Sequence, residues 1–193
     1  MAVFWDAGFA ATSLDDLSER TGMNRPSLYG AFGDKHALYR HALERYRAGA
    51  RVAMSEALAY DRPLRAALHR VYDKALSLYF SGDKGARGCF LIGTALTEAV
   101  LDADVRGVLA DALHEIDDAF ETRIRFARDQ GELPRDANVA ALARFASAVL
   151  HTLAIRSRAG ESRAALEATI GPALDLICGR PRADSRTARR PRG

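Results

Sequence analysis

Helical periodicity runs through nearly all of this 193-residue chain, and it narrows the possible folds more than any other feature. Apolar residues recur three and four positions apart, which is the spacing of one face of an α-helix. Strand-like alternation of useful length does not appear. The periodic segments are residues 13–21, 34–53, 63–80, 89–101, 104–130, 138–159 and 162–178. The sequence therefore predicts an all-α protein of about nine helices.

The arrangement of these segments suggests three parts. We expect a small domain in residues 1–46, a larger helical domain in residues 47–178 and a disordered, Arg-rich tail in residues 179–193. The whole chain carries a net charge of +3, and the tail alone carries +5. The other 178 residues therefore carry a net charge of −2. The basic pI of 9.1 is therefore a property of the tail and no evidence that the folded body binds nucleic acid.

Several classes of protein are not indicated. The start, MAVFWDAG, lacks the features of a signal peptide, and no apolar run approaches the roughly 18 residues of a membrane span. We therefore expect a cytoplasmic protein with no membrane partner. Cys89 and Cys178 are too few for a disulfide scaffold, and the five histidines lack paired ligand spacing, so no metal or cofactor is expected. An enzyme is not expected either, because no motif places an acid or base beside a nucleophile.

The stretch TSLDDLSERTGMNRPSLYGAF, residues 12–32, predicts two very short helices. Ser13 followed by Asp16 resembles a capping box at the start of the first helix. Gly22 supplies the backbone freedom to end it, and Asn24 is a favoured cap for the next. Two short helices joined by a tight glycine turn form a helix-turn-helix.

The second of these helices would meet DNA with its N-terminal turns, because a helix-turn-helix inserts that end into the major groove. Arg25, Pro26, Ser27 and Tyr29 lie there or on the outer side. An arginine can fork onto guanine, and serine and tyrosine can reach phosphates. From the residues alone a simpler interpretation stays open, in which these are two core helices with solvated polar side chains.

Residues 4–43 resemble the DNA-binding domain of TetR/AcrR-type transcriptional repressors. The matching positions are Phe4, Gly8, Phe9, Thr12, Ser13, Leu17, Gly22, Pro26, Ser27, Leu28, Tyr29, Phe32, Asp34, Lys35 and Leu38. The resemblance implies a homodimeric repressor that binds a near-palindromic, double-stranded DNA operator and is released by a small-molecule effector.

The resemblance also implies roles for particular residues. The expected DNA-binding residues are Ser13, Asn24, Arg25, Pro26, Ser27, Tyr29 and Lys35, with Arg25, Pro26 and Ser27 facing bases and Tyr29 and Lys35 facing phosphates. The dimer interface would be a four-helix bundle from residues 138–159 and 162–178. Its expected contacts are Leu142, Phe145, Val149, Leu166, Ile170 and Leu174.

One departure from the family supports an alternative. The family's first helix normally begins well before the position of Phe4, and residues 1–46 carry a net charge of −1, which is poor for DNA affinity. The alternative is a TetR-like dimeric ligand-binding protein whose DNA binding is impaired by a truncated first helix.

The resemblance places the effector among the helices that follow the fourth. The candidate ligand-binding residues are Tyr72, Tyr79, Phe80, Cys89, Phe90, Thr94, Phe120 and His151, although each could simply belong to the core. The segment RGCFLIGTALTEA, residues 87–99, resembles one in a branch that includes regulators responding to electrophiles, so the effector could be an electrophile, with Cys89 as the candidate sensor. A helix start and the nearby Arg87 would lower the pKa of the Cys89 thiol. The competing interpretation is that Cys89 is a small buried hydrophobic residue.

Overall fold

The computed structural model describes residues 1–82 and 85–180, and the regular structure in those ranges is entirely helical. This confirms the predicted fold class. The helices are α1 Ala2–Ala11, α2 Leu14–Thr21, α3 Arg25–Phe32, α4 Lys35–Ala57, α5 Leu64–Tyr79, α6 Leu96–Glu98, α7 Ala103–Asp129, α8 Val139–Arg158 and α9 Arg163–Cys178, with a π-helical turn at Leu91–Ala95 before α6.

Local side-chain caps explain the short helices α2 and α3. The hydroxyl of Ser13 accepts a hydrogen bond from the backbone N–H of Asp16, and the Asp16 carboxylate accepts one from the Ser13 N–H, so the capping box is complete. Gly22 ends α2 with φ 69°, a left-handed conformation that glycine adopts without strain. Asn24 then caps α3 by accepting a hydrogen bond from the N–H of Ser27 at 2.8 Å.

Two clusters of buried side chains form the interior. The larger lies among α5, α7, α8 and α9, and its members include Leu68 and Phe120. The second joins α1 and the first half of α4 to the π-helical turn, through side chains such as Trp5, Tyr39 and Phe90. The N-terminal helices therefore share their core with residues of the larger half. The domain boundary that we predicted at residues 46 and 47 lies within the continuous helix α4.

Helix α8 corrects the expectation that no apolar run is long enough to span a membrane. Its 20 residues pass that test by length and composition, with 39% of the apolar window buried. The helix packs against α5, α7 and α9 and buries eight of its own residues. Its apolar composition is therefore explained by its place in the core.

The predicted dimer contacts divide into two groups. Leu166, Ile170 and Leu174 are at most 3% exposed and lie in the chain's own core, so the prediction that they face a partner was wrong. Leu142 and Val149 are half-buried against the same core. Phe145 is 39% exposed. The predicted tail lies outside the described residues, apart from Gly179 and Arg180.

Candidate DNA-binding surface and ligand pocket

Helix α3 presents one polar surface to solvent. Leu28 is buried, whereas Arg25, Pro26, Ser27 and Tyr29 are exposed. We call these four residues the α3 outer face. Pro26 stands in the first turn of the helix, where its missing N–H costs nothing. The structure thus brings together the side chains that the sequence predicted to face bases and phosphates, while Asn24 is occupied as the cap.

The guanidinium group of Arg25 is paired with Asp15 of α2. Its Nε lies 3.0 Å from Asp15 Oδ1, and its Nη2 lies 2.6 Å from Oδ2. A guanine would need the same two donors, so base recognition requires Arg25 to exchange this carboxylate for DNA. Both side chains are well exposed to solvent, which keeps such an exchange inexpensive.

Lys35, which we predicted to contact phosphate, is engaged within the protein. Its Nζ donates to the carbonyl oxygens of Phe9 and Thr12, each at 2.9 Å, and lies 4.3 Å from the centroid of the Phe9 ring. The ammonium group therefore joins the end of α1 to the start of α4. Two of its three N–H donors are taken by carbonyls, and its contact with phosphate stays a prediction.

A pocket of about 700 Å³ lies between α4, α5 and α7. Its wall is mainly apolar and aromatic, as in most small-molecule sites. The residues that line it include Tyr46, Met54, Leu58, Tyr60, Val71, Leu78, Tyr79, Cys89, Ile116 and Arg123. Three further cations, Arg47, Arg51 and Lys74, also border it.

Only Tyr79 and Cys89 of the predicted ligand-binding residues line this pocket. Four of the other candidates are buried in the core, and two lie outside both the core and the pocket wall. The core residues are Tyr72, Phe90, Thr94 and Phe120, and the remaining two are Phe80 and His151. Tyr72 donates to the carbonyl of Ala146 at 3.2 Å, and Thr94 accepts from the hydroxyl of Tyr39 at 3.0 Å. Their polar groups are therefore already used within the protein.

Sequence reasoning missed the contribution of α4 to the pocket. It placed the site after this helix, whereas the second half of α4 forms one wall. A signal was present, because Tyr46, Ala50, Met54 and Leu58 recur at intervals of four and mark one helical face.

Burial works against activation of the Cys89 thiol. Burial raises its pKa, although hydrogen bonds from the backbone N–H of Ile92, from the Tyr46 hydroxyl and from the N–H of Leu91 pull it down. The helix start therefore acts in the predicted direction but is outweighed. Arg87, the expected cation, stacks 4.2 Å from the centroid of the Trp5 ring instead.

A chain of contacts connects the pocket to α1. The Tyr46 hydroxyl donates to Cys89 Sγ at 3.4 Å, and the Tyr46 ring packs edge-on against Trp5 at 5.0 Å. Trp5 Nε1 donates to the carbonyl of Gly88 at 3.0 Å. Arg158 of α8 donates to the carbonyl of Trp5 at 3.2 Å. The helix-turn-helix half and the pocket half thus share specific hydrogen bonds as well as apolar packing.

Comparisons with known proteins agree with this architecture. Residues 1–42 match the profile of bacterial regulatory proteins of the tetR family, and residues 64–171 match that of the tetracyclin repressor-like C-terminal domain. The HTH-type transcriptional repressor ComR of Escherichia coli is 30% identical over 178 residues, which cover 91% of this chain and 84% of ComR. The uncharacterized HTH-type transcriptional regulator YezE of Bacillus subtilis is 29% identical over 144 residues, 74% of each chain.

Solved structures show the same likeness. A cysteine mutant of the TetR family regulator CifR, complexed with 26-base-pair operator DNA, superposes with a TM-score of 0.76, 29% identity and 90% coverage of both chains. The reduced form of Escherichia coli NemR shares the fold, with a TM-score of 0.79, 19% identity and coverage of 93% of each chain. The matched proteins are transcriptional regulators and not enzymes. This chain belongs to the TetR family of DNA-binding transcriptional regulators.

Proposed function

We propose that this regulator is a cytoplasmic, homodimeric repressor that is released from a near-palindromic operator by a small molecule. The observation that carries the proposal is the path of α4. This helix begins at Lys35, beside the helix-turn-helix, and its residues from Tyr46 onward form a wall of the pocket. A ligand that favours one position of α4 would therefore also favour one position of the α3 outer face.

The dimer is supported by apolar side chains left uncovered on α8 and α9. Phe145 and Ile155 are 39% and 55% exposed, and Leu176 is 71% exposed. A two-fold axis through these helices would pair the same surface with itself and place two α3 helices on one face of DNA. Half-sites one helical turn apart, about 34 Å or a multiple of it, would then suit the dimer.

The relatives support both proposals: that the partner is operator DNA and that the protein represses transcription. ComR is named a repressor, and CifR is known bound to operator DNA. We assign the same activity to this chain, with bases contacted by Arg25 and Ser27 and phosphates by Tyr29.

The test uses the full-length protein to select the DNA duplexes that it binds from a random pool. The affinity for the selected sequence is then measured by titration. We expect a near-palindrome. Arg25→Ala should weaken binding to it about tenfold or more, since a forked arginine discriminates one base, with a much smaller loss on random DNA. Arg20→Ala, an exposed arginine of α2 outside the α3 outer face, is the control. An equal loss on selected and random DNA for Arg25→Ala would remove its base contact.

A second candidate is a dimeric ligand-binding protein with impaired DNA binding. The Asp15–Arg25 pair favours it, because the carboxylate occupies the principal base-reading donors. Asp15→Asn frees these donors and separates the candidates. If the unchanged protein selects no sequence while Asp15→Asn selects one, the pair impairs DNA binding and the second candidate is correct. If the unchanged protein selects a near-palindrome, the second candidate is excluded.

A further inference from the structure

Arg123 of α7 is a buried arginine in the wall of the pocket. Its side chain is 1% exposed, and Nη2 donates to the carbonyl of Arg62 at 2.6 Å. Nε and Nη1 are shielded from solvent and have no hydrogen-bond partner among the described residues. Buried donors are almost always paired, so two orphaned donors on one guanidinium require an explanation.

No carboxylate of the described residues neutralises this cation closely. The nearest, Glu132, has one oxygen 3.9 Å from Nη2. Its other oxygen accepts from the backbone N–H of Leu64 at 2.6 Å, so Glu132 is held at the start of α5. The aromatic rings of Tyr60 and Phe126 flank the guanidinium, with centroids 5.8 and 5.6 Å from Cζ. These rings offer attraction for a cation but no hydrogen-bond acceptor.

The other cations of the pocket wall are paired. Arg47 and Arg51 both contact Glu115, with Nη atoms 2.8 and 3.4 Å from its Oε1. Lys74 contacts Glu56 at 2.8 Å. Asp118 also borders the pocket, but it is exposed. Among the described residues, Arg123 is therefore the lining cation whose unpaired donors are shielded from water.

We propose that the effector is an amphipathic organic acid whose carboxylate binds Arg123. A carboxylate accepts a strong, charge-assisted hydrogen bond from a guanidinium, and each orphaned donor, Nε or Nη1, can supply one. The apolar remainder of the pocket suits a hydrophobic body of drug-like size. The inference takes from the proposed function only that the pocket is the effector site. Aliphatic and aromatic acids share this chemistry, and the experiment distinguishes them.

The experiment compares acids with neutral amides of the same shape. Decanoate with decanamide, and 1-naphthylacetate with 1-naphthylacetamide, are titrated into the full-length protein by calorimetry without DNA. We expect at least one acid to bind tenfold or more tightly than its amide. The pair with the larger difference in affinity shows whether the effector is an aliphatic or an aromatic acid. Arg123→Met should reduce the preference to about twofold or less. Arg125→Met, which removes an exposed arginine of the same helix, should leave it unchanged.

Thermal unfolding supplies a second readout. Ligand-free Arg123→Met should unfold at the same temperature as the parent or higher, because the substitution removes a poorly compensated buried charge. The acid should raise the Tm of the parent protein but not the Tm of Arg123→Met. Arg123→Gln, which keeps polarity without charge, is the second variant if the methionine variant misfolds.

Three results would overturn the proposal: no binding of either acid, equal binding of acid and amide, or a preference that survives in both Arg123 variants. Because DNA takes no part, these results are independent of the operator selection that tests the proposed function.

Discussion

At the scale of single residues, Lys35 connects two helices that have no peptide link between them. Its ammonium group donates hydrogen bonds to the carbonyls of Phe9 and Thr12 at the end of α1. The last carbonyls of a helix lack partners within the helix, and a cation also interacts favourably with this end of the helix dipole. The side chain is half-buried, so water replaces it poorly.

Lys35→Met should therefore destabilise the protein. Hydrogen bonds to a charged group contribute about 1.5–3 kcal/mol, and the methionine keeps most of the packing over Phe9. Urea unfolding followed by circular dichroism measures the loss. The control is Arg40→Met, which removes an exposed ion pair with Asp104 and should cost about 1 kcal/mol or less. Equal effects of the two substitutions would contradict the structural role of Lys35.

Cys89 should react slowly with electrophiles at neutral pH. Burial raises the pKa of its thiol, so the thiolate fraction is small and should grow about tenfold per unit between about pH 7 and pH 9. Burial also raises the pKa of Cys178, to about 11. Labelling with iodoacetamide, read by mass spectrometry, should show neither thiol as activated.

Tyr46→Phe refines this prediction. The Tyr46 hydroxyl donates to Cys89 Sγ and favours the thiolate, so its removal should raise the pKa of Cys89 further and slow labelling at a given pH. A labelling rate that has reached its plateau by pH 7 would restore Cys89 as an activated sensor.

At the scale of elements, α8 divides its surface between the core and the outside. One face, with Leu150 and Leu153, is buried against the chain's own helices. Phe145 and Ile155 lie ten residues apart on another, exposed face. At about 100° per residue, ten residues leave the two side chains roughly 80° apart around the helix, so both can belong to one broad exposed face.

Phe145→Asp together with Ile155→Asp should convert a dimer into folded monomers. Each aspartate would be buried without a partner in the dimer but solvated in the monomer. Light scattering measures the mass, and circular dichroism checks the helices. Val52→Asp, at a 60%-exposed position of α4, should leave the dimer intact. Leu166→Asp should instead unfold the chain, because Leu166 is fully buried. A double variant that remains dimeric would place the interface elsewhere.

At the scale of the whole molecule, Trp5 is the one tryptophan of the sequence, and it lies where the two halves meet. It packs against Tyr46 of the pocket wall and Phe90, and it donates to Gly88. A ligand that moves Tyr46 should therefore change both the environment of Trp5 and the position of α1. Its fluorescence is a direct optical probe of that movement.

Trp5→Phe should weaken the coupling between ligand and DNA while sparing ligand binding. The substitution keeps an aromatic ring but removes the hydrogen bond to Gly88. Typical coupling free energies are about 1–3 kcal/mol, or roughly 5- to 150-fold in affinity. The measurement is operator affinity with and without a bound ligand, in parent and variant. Undiminished coupling in the variant would exclude Trp5 from the connection.

The sequence by itself determined the helix-turn-helix. The caps at Ser13 and Asn24 involve partners three residues away, and Gly22 needs only its own left-handed backbone. These interactions are local, so the pattern predicted α2, α3 and the exposed side chains of α3. The periodicity of the longer segments likewise predicted the helical fold class.

Only the tertiary structure decided how those helices are used. Arg25 meets Asp15, and Lys35 meets carbonyls more than twenty residues away along the chain. Periodicity marks an apolar face but does not say which neighbour covers it, so Leu166 and Phe145 looked equivalent before packing buried one and exposed the other. The pKa of Cys89 and the orphaned donors of Arg123 depend on burial, which arises when distant helices exclude water from the same volume.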